Sequence, residues 1–94
     1  MTGKTSSGFV YEIDGKALQD FRFLQALRDM QSNTLSKQVE GVTAMVGIIF
    51  NDPEQEASLL QHVAKDGRAL TSDVMREVRE ILAALKAQDE SVKN

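Results

Sequence analysis

The stretch that most constrains the fold is V-E-G-V-T-A-M-V-G-I-I-F, residues 39–50, the most apolar run in the chain. Extended back to Leu35, it places Leu35, Val39, Val42, Val46, Ile49 and Phe50 at spacings of four, three, four, three and one. That is the stripe of an α-helix buried along one side. Ala44 and Ile48 fall on the far side, so neighbours on more than one face are expected. Val42 to Phe50 is also rich in β-branched residues and would suit a buried strand; the length and the sustained stripe favour helix. Gly41 and Gly47 each cost about 1 kcal/mol relative to Ala inside a helix. Both read as points where a neighbouring helix comes close.

A chain of 94 residues, 41% of them hydrophobic, supports one small core and no second domain. Chains of this size are often completed by oligomerisation, so a homo-oligomer is expected. With no cysteine there is no disulfide framework and no thiolate ligand or nucleophile. The formal net charge of −3 argues against non-specific nucleic-acid binding, which depends on basic surface. The N-terminal segment lacks the apolar core of a signal peptide, and no apolar run approaches the ~18 residues of a membrane span. The expectation is a small, soluble, acidic, cytoplasmic domain.

Residues 1–6 are small and polar and read as a disordered N-terminus. Phe9, Tyr11 and Ile13 then alternate with Val10 and Glu12, the period of a half-buried strand, with no second strand in view to pair with it. Asp14 reads as the N-cap of a helix from Gly15 to Gln31. Its apolar residues Ala17, Leu18, Phe21, Phe23, Leu24, Ala26, Leu27 and Met30 cover more than half its circumference. The main face is Leu18, Phe21 and Leu24, with Phe23 and Met30 leaning away. Thr34 or Ser36 caps the central helix. In Asn51-Asp52-Pro53-Glu54-Gln55, Asp52 suits an N-cap, Pro53 the first helical position and Gln55 the third, as in a capping box. The helix from Pro53 should carry Ala57, Leu60, Val63 and Ala64 inward and end at a left-handed Gly67. Thr71-Ser72-Asp73 starts a last helix, Ser72 to Ala87. Its stripe is Val74, Val78, Ile81, Leu82 and Leu85; Arg76, Glu77, Arg79, Glu80 and Lys86 face water, with Arg76 and Glu80 placed to pair. The fold class is mainly α: a compact bundle of about four helices with a short N-terminal β-strand segment. A single domain, residues 7–87, is followed by a flexible tail, residues 88–94.

No constellation argues for an enzyme, and no catalytic, cofactor or metal residues are expected. Gly3-Lys4-Thr5 lacks the earlier glycine, preceding strand and following helix of a phosphate loop. His62 has Glu54, Glu56 and Asp66 along its helix, but a metal site wants at least three converging ligands. A dyad of His62 with Ser58 has no orienting group and no oxyanion loop. Asp66-Gly67-Arg68 lacks the alternating acids of a calcium loop. The last two helices could form a helix-turn-helix with Arg76 and Arg79 outward, but the turn is long and each arginine sits beside a glutamate. What remains is a helical domain with more apolar surface than it can bury alone, which is the mark of an interaction protein.

The order of elements has a counterpart. Ser7-Gly8-Phe9-Val10-Tyr11-Glu12-Ile13-Asp14 followed by Ala17-Leu18-Gln19-Asp20-Phe21-Arg22-Phe23-Leu24 resembles the opening of the small tail assembly chaperones of long-tailed bacteriophages. The resemblance continues through an apolar middle helix, Asn51 to Gln55, Leu59-Leu60-Gln61-His62-Val63, and Asp66-Gly67-Arg68 leading into a final amphipathic helix. It covers residues 7–85. Gly47 departs from it, standing where the family has a leucine-rich run. The resemblance implies a protein that binds the phage tape-measure protein in the host bacterial cytoplasm, keeps its apolar helices soluble, and is absent from the mature virion. It also implies that a frameshifted extension beyond residues 88–94 could recruit tail tube protein.

A groove between amphipathic helices would hold such an apolar helix chiefly by hydrophobic burial. The candidate outward contacts are Phe9, Tyr11, Phe23, Met30, Met45 and Ile48, the methionines suiting a surface that must accept varied partner sequence. Two other classes stand beside this reading: a structural head–tail connector or scaffold that remains in the particle, and a small helix-turn-helix DNA-binding regulator.

Overall fold

The apolar stretch is helical from end to end: α2 (Leu35–Phe50) is the element against which the rest of the chain packs. The computed structural model describes the backbone of residues 1–93 and the side chains of residues 1–88. Around α2 stand α1 (Phe23–Met30), α3 (Pro53–Val63) and α4 (Thr71–Lys93), with a two-stranded antiparallel hairpin, β1 (Thr2–Lys4) and β2 (Val10–Glu12), at the N-terminus. The chain is therefore mainly α, four helices with a short N-terminal sheet. The expected flexible tail, residues 88–94, falls at the C-terminal end of α4, which runs to Lys93; Asn94 and the side chains after Gln88 lie outside the described residues.

The missing partner of the alternating strand is the N-terminus itself, where disorder was expected. β1 pairs with β2 in the register Thr2↔Glu12, Gly3↔Tyr11, Lys4↔Val10. The ladder extends at both ends, through Ile13 N–H to the Met1 carbonyl at 2.8 Å and Thr5 N–H to the Phe9 carbonyl at 2.9 Å. The loop Ser6-Ser7-Gly8 is a three-residue hairpin connection with a positive-φ glycine at its last position. Phe9, Tyr11 and Ile13 point into the core as the alternation predicts, and Val10 points out. The outer edge of β2 is covered: the Gln55 side-chain amide donates to the Glu12 carbonyl and accepts from the Glu12 N–H. Gln55 thus serves as a strand mimic rather than closing a capping box, while Asp52 alone caps α3 by accepting from Glu54 N–H at 3.0 Å.

The helix expected over Gly15 to Gln31 is two pieces. Asp14 caps a short 3-10 turn, Gly15–Gln19, and the chain then breaks at Asp20. Asp20 is extended and restarts the chain as α1: its Oδ1 accepts from the Arg22 N–H at 2.9 Å, and its carboxylate takes two further bonds from the Arg22 guanidinium. Such a turn competes with helix because it satisfies backbone donors locally. After the break α1 presents the face opposite to the one expected. Phe23, Ala26 and Met30 are buried, whereas Phe21 and Leu24 are exposed.

The two glycines of α2 differ. A Cβ on Gly41 would lie 2.8 Å from the Ala26 carbonyl oxygen and closer still to the Met30 amide, so α1 and α2 touch backbone to backbone there. A Cβ on Gly47 would meet only Glu56 Oε1 at 3.9 Å, so the expected close neighbour is absent. Asn51 in the left-handed region ends α2, its N–H donating to the Gly47 carbonyl. In α3 Val63 is inward as expected, but its companion is Leu59, while Ala57, Leu60 and Ala64 are exposed. Gly67 has a positive φ but does not end the helix. It sits with positive-φ Asp66 in a tight turn closed by Lys65 and Arg68, and α3 stops earlier, at Val63. In α4 the stripe of Val74, Val78, Ile81 and Leu85 is buried, joined by Met75.

Gly41→Ala should lower thermal stability despite the better helix propensity of alanine, while Gly47→Ala should raise it by up to about 1 kcal/mol. Paired denaturation curves check this; equal shifts would contradict the close approach at Gly41. The hydrogen bonds from the Arg22 side chain, then its backbone amide, lower the Asp20 carboxyl from 3.8 to about 2. Its folded value lies below its unfolded one, so its contribution to stability is present above pH 3.8 and lost as pH falls through about 2. An NMR titration should give that low midpoint and move it upward in Arg22→Gln.

Candidate functional site

The six residues read from the sequence as outward contacts, Phe9, Tyr11, Phe23, Met30, Met45 and Ile48, are all buried in the core of the chain. Phe9 packs edge-on against Phe50, Tyr11 lies beneath Gly3, and Met45 and Ile48 belong to the more fully surrounded faces of α2. For the four helical residues, periodicity in a helix apolar on two sides does not say which side is inward. The break at Asp20 turns α1 so that Phe23 and Met30 are inside. Phe9 and Tyr11 take the inward side of their alternating strand.

The apolar surface left open lies elsewhere. Leu35 and Val39 continue the Val42 and Val46 stripe of α2 beyond the reach of its neighbours and are exposed, as are Leu60 on α3 and Leu70 before α4. Between these elements runs a groove of about 210 Å³. Val39, Val42, Thr43 and Val46 form its floor on α2; Glu56 and Leu60 form one wall, and Ala69, Thr71 and Val74 the other. Apolar surface gathered at one place and rimmed by polar groups is the usual form of a docking site. Glu56 supplies a carboxylate to this one. The sequence held the signal for it in the Leu35-to-Val46 stripe, which continues past the point that the packed elements cover.

The densest polar cluster ties the hairpin loop to α4. Glu77, read from the sequence as facing water, is 2% exposed. Its Oε1 accepts from the Thr5 hydroxyl at 2.7 Å and the Ser7 hydroxyl at 2.8 Å. Glu80 accepts from the Ser6 N–H and hydroxyl. Arg76 pairs with Asp73 at 2.9 Å rather than with Glu80. Tyr11 lies close by, and burial, reinforced by the charge of Glu80, raises its phenol above the ordinary value. His62 Nε2 lies 2.9 Å from Ser7 Oγ, and its ring tilts against Phe9.

A serine, a histidine and a carboxylate therefore meet, but in the wrong order for nucleophilic catalysis. The Ser7 hydroxyl donates to Glu77, so its proton is directed away from His62. Ser58, the partner weighed for His62 from the sequence, takes no part. Gly3-Lys4-Thr5 runs along β1 into this acidic corner, with no helix N-terminus to receive a phosphate. Among the described residues there is no group of three or more His, Asp or Glu side chains that could hold a metal, and no helix is long and apolar enough to cross a membrane.

Comparisons with protein-family models, with curated proteins and with solved structures return no match.

If the polar cluster is a structural latch, Glu77→Leu, which strands two hydroxyls, should cost about 1–3 kcal/mol in chemical denaturation. Glu77→Gln, which keeps an acceptor, should cost less. Equal losses would mean that the charge, not the hydrogen bonds, holds the hairpin.

Proposed function

We propose that this protein is an assembly chaperone of the phage-tail kind, which holds an apolar helical segment of a tape-measure protein in the groove between α2, α3 and α4. The observation that carries the reading is the open groove, whose floor runs along the middle of the most apolar helix in the chain, next to the exposed Leu35 and Val39. A long helical client with a continuous apolar stripe is the natural occupant of such a surface, binding through i, i+3, i+4 and i+7 side chains. The residue pattern from Ser7 to Leu85, with its likeness to tail assembly chaperones, supports the same reading.

The contact surface proposed is Val39, Leu60 and Ala69, in place of the six core residues. Cytoplasmic action in the host, absence from the virion, and recruitment of tail tube protein by a frameshifted extension belong to the same proposal.

Co-expression with the tape-measure protein encoded nearby tests it. The client should become soluble and co-purify. Leu60→Asp, at a site 47% exposed, should abolish capture without loss of helical circular dichroism. Val10→Asp, at a site 68% exposed on the hairpin, should leave capture intact. An insoluble, unbound client would remove the chaperone reading. Recovery of the protein from purified virions would favour the connector, and a salt-dependent DNA shift the regulator.

A further inference from the structure

The turn between α3 and α4 carries two cations that the fold does not use. Lys65 N–H donates to the Arg68 carbonyl at 2.8 Å, and Arg68 N–H returns a bond to the Lys65 carbonyl at 3.0 Å. Asp66 and Gly67 between them both have positive φ, 54° and 79°, as a type I′ turn requires. Residues paired directly across such a turn send their side chains to the same face, and like charges placed so are destabilising. Nothing in the chain relieves them closely: neither Lys65 nor Arg68 makes an ion pair among the described residues. With Asp66 at the tip, the turn still sets two cations against one carboxylate.

This turn lies at one end of the groove. Arg68 adjoins Ala69, which lines it, and Lys65 follows the end of the α3 wall that Leu60 belongs to. The other end is marked by Glu56, one turn before Leu60 and level with Gly47 of α2, where a Cβ would lie 3.9 Å from the Glu56 Oε1. Glu56 also makes no ion pair among the described residues. Other charges near the groove are matched, Lys37 by Glu40 on α2 and Arg76 by Asp73 on α4. The groove therefore has an anionic end and a cationic end, with a floor between Val39 and Val46 about 10 Å long at the rise of an α-helix.

We infer that the groove takes its client helix in one preferred direction, with the N-terminal end at Glu56 and an acidic C-terminal end at Lys65 and Arg68. A helix is itself positive at its N-terminus and negative at its C-terminus, so this direction matches both ends and the reverse opposes both. The client then runs in the same sense as α3. This polarity rests on the proposal that a client helix occupies the groove, and it adds the charge pattern of the segment bound: an apolar stripe that ends in acidic residues on its C-terminal side.

Two synthetic peptides of one composition decide it, both amphipathic helices with the same leucine stripe and both held helical by a side-chain staple. One has lysines at its N-terminal end and glutamates at its C-terminal end; the other has them exchanged. In fluorescence anisotropy at low salt the wild-type chain should bind the first at least about fivefold more tightly. Leu60→Asp should lose both peptides. Lys65→Ala with Arg68→Ala, both at exposed positions, should weaken the first peptide and not the second. Glu56→Lys combined with Lys65→Glu and Arg68→Glu exchanges the two ends and should reverse the preference. Equal affinity of the wild type for both peptides, with Leu60→Asp still abolishing them, overturns the polarity and leaves the groove as a docking site. Binding of neither peptide overturns the groove and the polarity together. A preference that survives Leu60→Asp, or that the paired alanine variant keeps in full, puts the charge contact outside the groove and overturns the inference.

Discussion

Everything in this molecule is arranged by the burial of one helix that is apolar over more of its circumference than a single neighbour can cover. α1 lies on the Gly41 face of α2, the 3-10 turn and hairpin close its C-terminal half, and α3 and α4 take the opposite side. The hydrophobic gain from enclosing Met45, Ile49 and their neighbours is the dominant favourable contribution. It also sets the limit. The packed elements do not cover the N-terminal turns of α2, and Leu35 and Val39 are left at the surface. The open groove is thus a direct result of how the core is built.

The polar interactions place the elements that burial alone would leave free to slide. Glu77 and Glu80 fix the hairpin loop on α4, and Gln55 fixes the edge of β2 on α3. Asp20 sets where α1 begins and which face it turns inward. Exposed ion pairs such as Arg76 with Asp73 contribute little by comparison.

The elements with one strong period were legible in the sequence. The α4 stripe, the alternation of Phe9, Tyr11 and Ile13, and the Asp52-Pro53 start of α3 each have one physical interpretation, and the structure follows it. α2 is helical as its length and stripe favoured, with Leu35 and Val39 of that stripe exposed. Facing was legible only where a helix had a single apolar side. In α1 two registers were nearly equal, and the choice was made by Asp20 through a local turn. Thr2–Lys4 gave no strand signal because its pairing with β2, not its composition, makes it a strand. Glu77 could not be recognised as buried, since its hydroxyl partners lie 70 and 72 residues away. The groove was half visible, as an apolar stripe longer than its covering, but its walls depend on how α3 and the approach to α4 pack.

The hairpin latch also bears on the order in which the chain can mature during synthesis. Thr5 waits for a carboxylate 72 positions downstream, and Ser6 for one 74 positions downstream. Local pairs such as α1 with α2 can form while later residues are still being made, because their loop closure is short. The hairpin loop has no anchor on α4 until that helix has left the ribosome. The hairpin is therefore among the last elements to be locked, and its docking reports that α4 has been made.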